Sequence, residues 1–143
     1  MRWITHLGDA LCTVGIGLVL LLAGGHLAEL GRAALLANAI SHVAVQILKR
    51  TMVRARPADA NGVPLALVDV PDPFSFPSGH SAASMAVAAT VARAHPALAP
   101  VVIPAAALVG LSRVKLKVHH PGDVVAGAAL GLAGALAAWS IVA

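Results

Sequence analysis

The sequence predicts an all-α fold, an integral membrane helical bundle of about five transmembrane helices, in a single domain covering residues 1–143. Three observations carry this expectation. Hydrophobic residues make up 59% of the chain and charged residues only 11%, where a soluble domain has about a quarter charged. The apolar residues gather into long runs bounded by charge or proline, with a mean hydropathy of +0.86. Bulky aromatics are scarce, with two Phe, two Trp and no Tyr. Packing must therefore rest on Ala, Gly, Leu and Val, the small ones among which let membrane helices approach closely.

The first apolar run lies between Asp9 and Glu29 and has 19 uncharged residues. Arg2 ahead of a stretch ending in AGGHLA imitates a secretory signal. Asp9 and His6 interrupt that pattern, so a retained first helix is the expectation. The second run, between Arg32 and Lys49, has 16 residues and contains Asn38, Ser41, His42 and Gln46. The third extends from near His80 to Arg93, and the fourth from about Ala97 to Ser112 with Pro104 inside it. The last, Val124 to Ala143, is 20 residues without a charge. A span takes about 20 residues, so the second and third runs need their charged ends to snorkel or to lie in protein. Between these two runs, residues 57–76 hold four prolines, three aspartates and Asn61-Gly62, the composition of a loop.

Five crossings place the N-terminus, residues 49–80 and residues 112–123 on one face. Eight of the ten Lys and Arg fall there, with only Arg32 and Arg93 opposite. The positive-inside rule makes the crowded face cytoplasmic, less firmly once cations kept for chemistry are set aside. The net charge of +4 is concentrated at expected helix ends. Headgroups or a phosphate fit that distribution, and nucleic acid does not. Cys12 is the only cysteine, which excludes an internal disulfide.

Three polar clusters share that face. In KRTMVRARP, residues 49–57, Lys49 and Arg56 are seven apart, nearly one azimuth of a helix and roughly 10 Å along its axis. Both can converge on one anion, although a basic stop-transfer anchor reads the same way. Pro57 disfavours helix at Arg56. Upstream, Asn38, His42, Gln46 and Lys49 form one stripe; Asn38 and Gln46 are expected to make interhelical hydrogen bonds, with His42 behind the site as its alternative. In FPSGHSAAS, residues 76–84, Ser78 can cap a helix and Gly79 permits close backbone approach. His80 then stands at a helix N-terminus, where N–H groups and the dipole favour anions. The plainer alternative is a serine cap with an interfacial histidine. In SRVKLKVHHPGD, residues 112–123, Arg113 and His119 would lie about 240° apart on one helix. If both serve one ligand the chain bends between them, and Pro121-Gly122 supplies a further break. Asp123 at the next helix start can accept a hydrogen bond from one nitrogen of His119 and free the other to attack. Here the alternative is an interfacial basic loop. A zinc site from His80, His119, His120 and Asp123 is a further option, with no Cys or Glu near to strengthen it.

Taken together, the order Lys49-x6-Arg56-Pro57, then Pro77-Ser78-Gly79-His80, then Ser112-Arg113-x5-His119-x3-Asp123 resembles the signature of the type 2 phosphatidic acid phosphatase family. The match spans residues 49–127. The resemblance implies a multi-pass protein of the bacterial cell membrane. It would be a phosphatase for a lipid phosphomonoester or isoprenoid diphosphate, such as phosphatidic acid, phosphatidylglycerophosphate or undecaprenyl pyrophosphate. It implies His119 as nucleophile through a phosphohistidine, Asp123 as its support and His80 as proton donor. Lys49, Arg56, Ser78, Gly79 and Arg113 would hold the phosphate, with no metal or other cofactor. The implied partners are that lipid substrate and the bilayer, and no oligomeric state follows. Five expected helices rather than the six of many members leave less protein to shape a headgroup pocket. Other readings are a phosphatase or phosphotransferase for a non-lipid sugar phosphate, and a catalytically idle lipid-binding protein.

Overall fold

The computed structural model describes residues 1–70 and 72–142, with Arg2 described in its backbone only. A four-residue helix α1 (Arg2–Thr5) and a 3-10 turn (His6–Gly8) precede five longer helices. These are α2 (Ala10–Ala23), α3 (Gly25–Thr51), α4 (Gly79–Ala94), α5 (Ala99–Lys115) and α6 (Pro121–Val142). Among the described residues, three helical stretches are long and apolar enough to cross a membrane: Gly25–Thr51, Pro96–Lys115 and Pro121–Val142. α2 is a shorter apolar helix.

The first two apolar runs divide differently from the expectation. Glu29 and Arg32 do not end a helix, because they sit on the outward side of a continuous 27-residue α3. The break lies at Gly24-Gly25, whose φ angles of 78° and 55° are open to glycine and strained for other residues. α2 then folds back along α3 at close range. A Cβ at Gly31 would meet the backbone of Leu21 and, at 2.7 Å, Gly17 O, while Gly17 faces Leu35.

α4 forms the centre of the bundle. Ser81, Ala82, Ser84 and every residue from Ala86 to Thr90 are buried, and its neighbours are α3, α5 and α6. Where α3, α4 and α6 meet, the core is a set of alanines: Ala37, Ala86, Ala89, Ala135 and Ala138. Gly127, Gly131 and Gly134 bring α6 against backbone, with the Gly134 position 2.8 Å from Ala37 O for any added Cβ. Leu11, Leu22, Val101, Val125 and Ile141 point outward, as lipid-facing side chains do.

α3 also stops earlier than expected, at Thr51. Residues 52–70 and 72–78 lie across one end of the bundle as an irregular strap. Ala55 pairs with Phe74 and Ala58 with Pro64 in isolated antiparallel bridges. Ser75 N–H donates to Arg54 O at 2.8 Å, and Leu67 N–H to Leu116 O at 3.0 Å. The backbone around Arg56 thus finds partners outside a helix, as its place before proline favours.

Candidate active site

The three clusters come together at the strap end of the bundle. A cavity of about 620 Å³ is lined there by Lys49, Arg56, Gly79, His80, Arg113 and His119, with Asp9 and Asp72 beside them. It continues between α2, α3 and α4 past Ala10, Thr13 and Val14 on one side and Gln46, His42, Asn38 and Leu35 on another.

Lys49 and Arg56 do converge on one anion, by a different route from the helical one. Arg56 lies beyond the helix end, and the strap brings it back. The anion in place is the Asp72 carboxylate. Lys49 Nζ donates to both of its oxygens at 2.9 Å and to Phe74 O at 3.2 Å. Arg56 donates from Nη2 to Asp72 Oδ1 at 3.3 Å, from Nε to Asp72 O at 2.9 Å and from Nη1 to Val118 O at 2.8 Å. Burial pushes the Asp72 carboxyl upward, yet Lys49, the Phe74 N–H and Arg56 outweigh it and hold the group below its ordinary value.

Arg113 and His119 are each 4% exposed. Arg113 donates from Nη1 to Thr5 Oγ1 at 2.7 Å, while its Nε has no protein partner. The bend required between these two residues is present: α5 ends at Lys115 and Lys117 takes a φ of 56°. His119 Nδ1 is 3.7 Å from Asp123 Oδ2, beyond hydrogen-bond reach, and it too has no partner. The expected His119–Asp123 hydrogen bond is therefore not made, and the carboxylate only faces the ring. The carboxylate is engaged elsewhere, accepting from Arg54 Nη1 at 3.0 Å and from the His120 N–H at 2.7 Å. The second bond is a side chain in the first turn capping its own helix start. With Nδ1 turned toward Asp123, Nε2 is the nitrogen left for the cavity. Burial, then the charges of Arg56 and Arg113, push the His119 imidazole down to about 3, against the Ser75 backbone and Asp123. The ring is thereby held in its neutral form at neutral pH.

Ser78 does not line the cavity. It is fully buried, and its Oγ caps α4, accepting from Ser81 N at 3.4 Å and Ser81 Oγ at 2.9 Å. Gly79, one residue on, does line it. Asn38 and Gln46 line the cavity as well, which differs from the expected interhelical bonding. Asn38 Nδ2 is buried without a partner, and Gln46 Nε2 lies 3.5 Å from His42 Nε2. Among the described residues, no three His, Cys, Asp or Glu side chains are gathered to hold a metal ion.

Asp9, Asp72, Thr5 and Arg54 belong to the site although the motifs did not single them out. His80 Nε2 is 2.7 Å from Asp9 Oδ1, and Asp9 Oδ2 is 2.7 Å from His6 Nδ1. A carboxylate between two prolines, in PDP, was the one available sign of Asp72 as a fixed group.

This is the architecture of a membrane phosphatase, and the comparisons agree. Residues 30–143 match the PAP2 superfamily, and the chain belongs to that family. It is 36% identical over 133 residues to decaprenylphosphoryl-5-phosphoribose phosphatase of Mycobacterium tuberculosis, covering 91% of this chain and 72% of the relative. Among solved structures, LpxE of Aquifex aeolicus superposes with a TM-score of 0.83 at 23% identity, over 97% of this chain and 82% of that one. A transmembrane PAP2-type phosphatidylglycerolphosphate phosphatase from Bacillus subtilis gives a TM-score of 0.76 at 25% identity, covering 98% and 73%. The chain is a multi-pass membrane protein of a family of phosphatases acting on lipid and isoprenoid phosphates.

Proposed function

We propose that residues 1–143 form one transmembrane phosphatase domain of the bacterial cell membrane, hydrolysing a lipid phosphomonoester or isoprenoid diphosphate through a phosphohistidine on His119. The observation that carries this is the meeting of three cations and two histidines, from clusters up to 70 residues apart, around one cavity. Two of those residues, Arg113 and His119, hold buried nitrogens without partners.

In this reading the phosphoryl group takes the place of the Asp72 carboxylate between Lys49 and Arg56, with Arg113 and the Gly79 backbone on its remaining oxygens. Such preorganised donors stabilise charge that grows in the transition state. His119 Nε2 attacks phosphorus as the bond to the lipid oxygen breaks, and His80 gives that oxygen a proton. His80 then takes a proton from water, whose oxygen attacks phosphorus and breaks the P–N bond. Inorganic phosphate leaves and His119 is restored. Asp123 faces Nδ1 and favours the charge that develops on the ring.

The polar wall of α3 bears on the substrate. Gln46, His42 and Asn38 lie about 4.5, 10 and 16 Å from Lys49 along the helix axis. A bare alkyl phosphate offers nothing to these groups. A leaving group with hydroxyls or a second phosphate does, which favours a polyprenyl-linked sugar phosphate, the class of the mycobacterial relative's named substrate. The test is phosphate release in detergent from a prenyl-linked sugar phosphate, a prenyl diphosphate and phosphatidic acid. The first is expected to give the highest kcat/KM. His119→Ala is expected to abolish release from all three, and a folded variant with full activity would refute the mechanism.

A further inference from the structure

The N-terminal turn lies outside the residues matched to the family, which begin at residue 30, yet it is seated in the site. Thr5 is buried and its Oγ1 accepts from Arg113. Gly8 lies so close to α4 and α5 that a Cβ there would be 2.7 Å from Val109 Cγ1 and 3.0 Å from His80 O. Asp9 follows directly. Its backbone carbonyl accepts from Thr13 N at 3.0 Å and Thr13 Oγ1 at 3.1 Å, and its two carboxylate oxygens contact His6 and His80. The position of Asp9 is fixed from both sides.

We infer that Asp9 is a positioning residue for the proton donor His80: it accepts from Nε2, fixes the ring, and leaves Nδ1 as the nitrogen that exchanges protons with substrate. This rests on the proposed role of His80 as the acid. Bonding one nitrogen of an imidazole to a carboxylate settles which nitrogen does the chemistry. The Nδ1 proton passes to the leaving oxygen in the first step and is regained from water in the second. The Nε2 proton stays on the Asp9 hydrogen bond throughout.

The need for a carboxylate follows from what else faces His80. Arg113 on α5 and His6 in the 3-10 turn act on it directly, and Lys49 and His42 on α3, Arg56 on the strap and His119 in the α5–α6 turn line the same cavity. Asp72 is engaged by Lys49 and Arg56, and Asp123 on α6 by Arg54. Burial and then Arg113 push the His80 ring toward its neutral form; Asp9, the carboxylate in contact with it, opposes them and favours the protonated ring that an acid must begin as.

The test separates an acid's partner from a structural contact. The full-length protein in detergent is assayed on a lipid phosphate, whose alkoxide needs a proton, and on p-nitrophenyl phosphate, whose phenolate leaves without one. Asp9→Asn is expected to lower kcat on the lipid phosphate about 30-fold, within what general acid catalysis supplies, and on the nitrophenyl ester less than about threefold. The alkaline limb of the lipid-phosphate pH profile is expected to move about one unit lower, and Asp9→Glu to recover part of the loss. His80→Ala should show the same leaving-group pattern, and the double variant should be no worse than His80→Ala alone. Equal losses on both substrates, or an unfolded Asp9→Asn with a fully active Asp9→Glu, would make Asp9 structural and overturn the inference. Unchanged kcat with tighter vanadate inhibition would show that Asp9 merely fills the anion position, and would also overturn it. Should His80→Ala lose equally on both substrates, the acid role of His80 itself fails.

Discussion

Replacing Arg54 tests how His119, the proposed nucleophile, is held. Asp123 is fully buried, and its Oδ1 has a protein partner in Arg54 Nη1 at 3.0 Å. Its other oxygen takes the His120 N–H at 2.7 Å and lies 3.7 Å from His119 Nδ1. In Arg54→Ala, one oxygen of a buried carboxylate loses a charged donor. Stripping a fully buried pair of one member costs about 3–5 kcal/mol. The Arg54 side chain is 48% exposed, so water can reach part of the gap and the lower figure for charged hydrogen bonds, about 2 kcal/mol, applies. That corresponds to roughly 30-fold in an equilibrium. The carboxylate either turns toward His119 or takes a proton, and both change the electrostatics behind the His119 ring. Phosphate release at saturating substrate and thermal inactivation in detergent measure the two consequences. Arg54→Ala should lower kcat about tenfold or more together with the inactivation midpoint, and Arg54→Lys should recover part of both. Wild-type kcat and midpoint in Arg54→Ala would refute the account.

Further outcomes follow from the same geometry. Gly131→Ala places a Cβ 2.8 Å from Ala86 N and 3.0 Å from Met85 Cβ, an overpacking cost of about 1–3 kcal/mol that should lower the inactivation midpoint. Gly15→Ala on α2 meets nothing within 4 Å and should be neutral or slightly stabilising in the same assay. Asp72→Asn removes the anion held by Lys49 and Arg56, so vanadate inhibition should tighten about tenfold; unchanged inhibition would mean that phosphate binds elsewhere. The folded His119 value of about 3 lies below its ordinary 6.5, so the unfolded chain binds the extra proton. The stability tied to neutral His119 is therefore present above about pH 6.5 and lost progressively as pH falls toward 3. The gap between the wild-type and His119→Gln inactivation midpoints should be constant above about pH 6.5, and below it the wild-type midpoint should fall relative to the variant's.

The motif residues were legible because their chemistry is local. A Pro-Ser-Gly-His before small residues announces a capped helix start, and Lys49, His80, Arg113 and His119 all reach the cavity expected of them. Ser78 shows the limit, since capping α4 and binding phosphate use the same oxygen and burial favours the cap. The break at Gly24-Gly25 is not legible in the sequence because apolar residues continue on both sides, and positive φ leaves no mark on hydropathy. Asp72 meets Lys49 across 23 residues, and Asp9 meets His80 across 71. Partnerships at that range follow from how the strap and the N-terminal turn close over the bundle, which no periodicity encodes.

The cavity follows α3 to Leu35, about 21 Å along the axis from Lys49, and α2 on its other side is only 14 residues long. Such a helix is about 21 Å in length, less than the roughly 30 Å of a hydrocarbon core. In the proposed reading, a lipid phosphate reaches the cavity past this short helix by sideways diffusion within the leaflet, its tail still among its neighbours. Turnover then answers to the mole fraction of substrate in the membrane, and adding inert lipid slows the enzyme even when the total amount of substrate is unchanged.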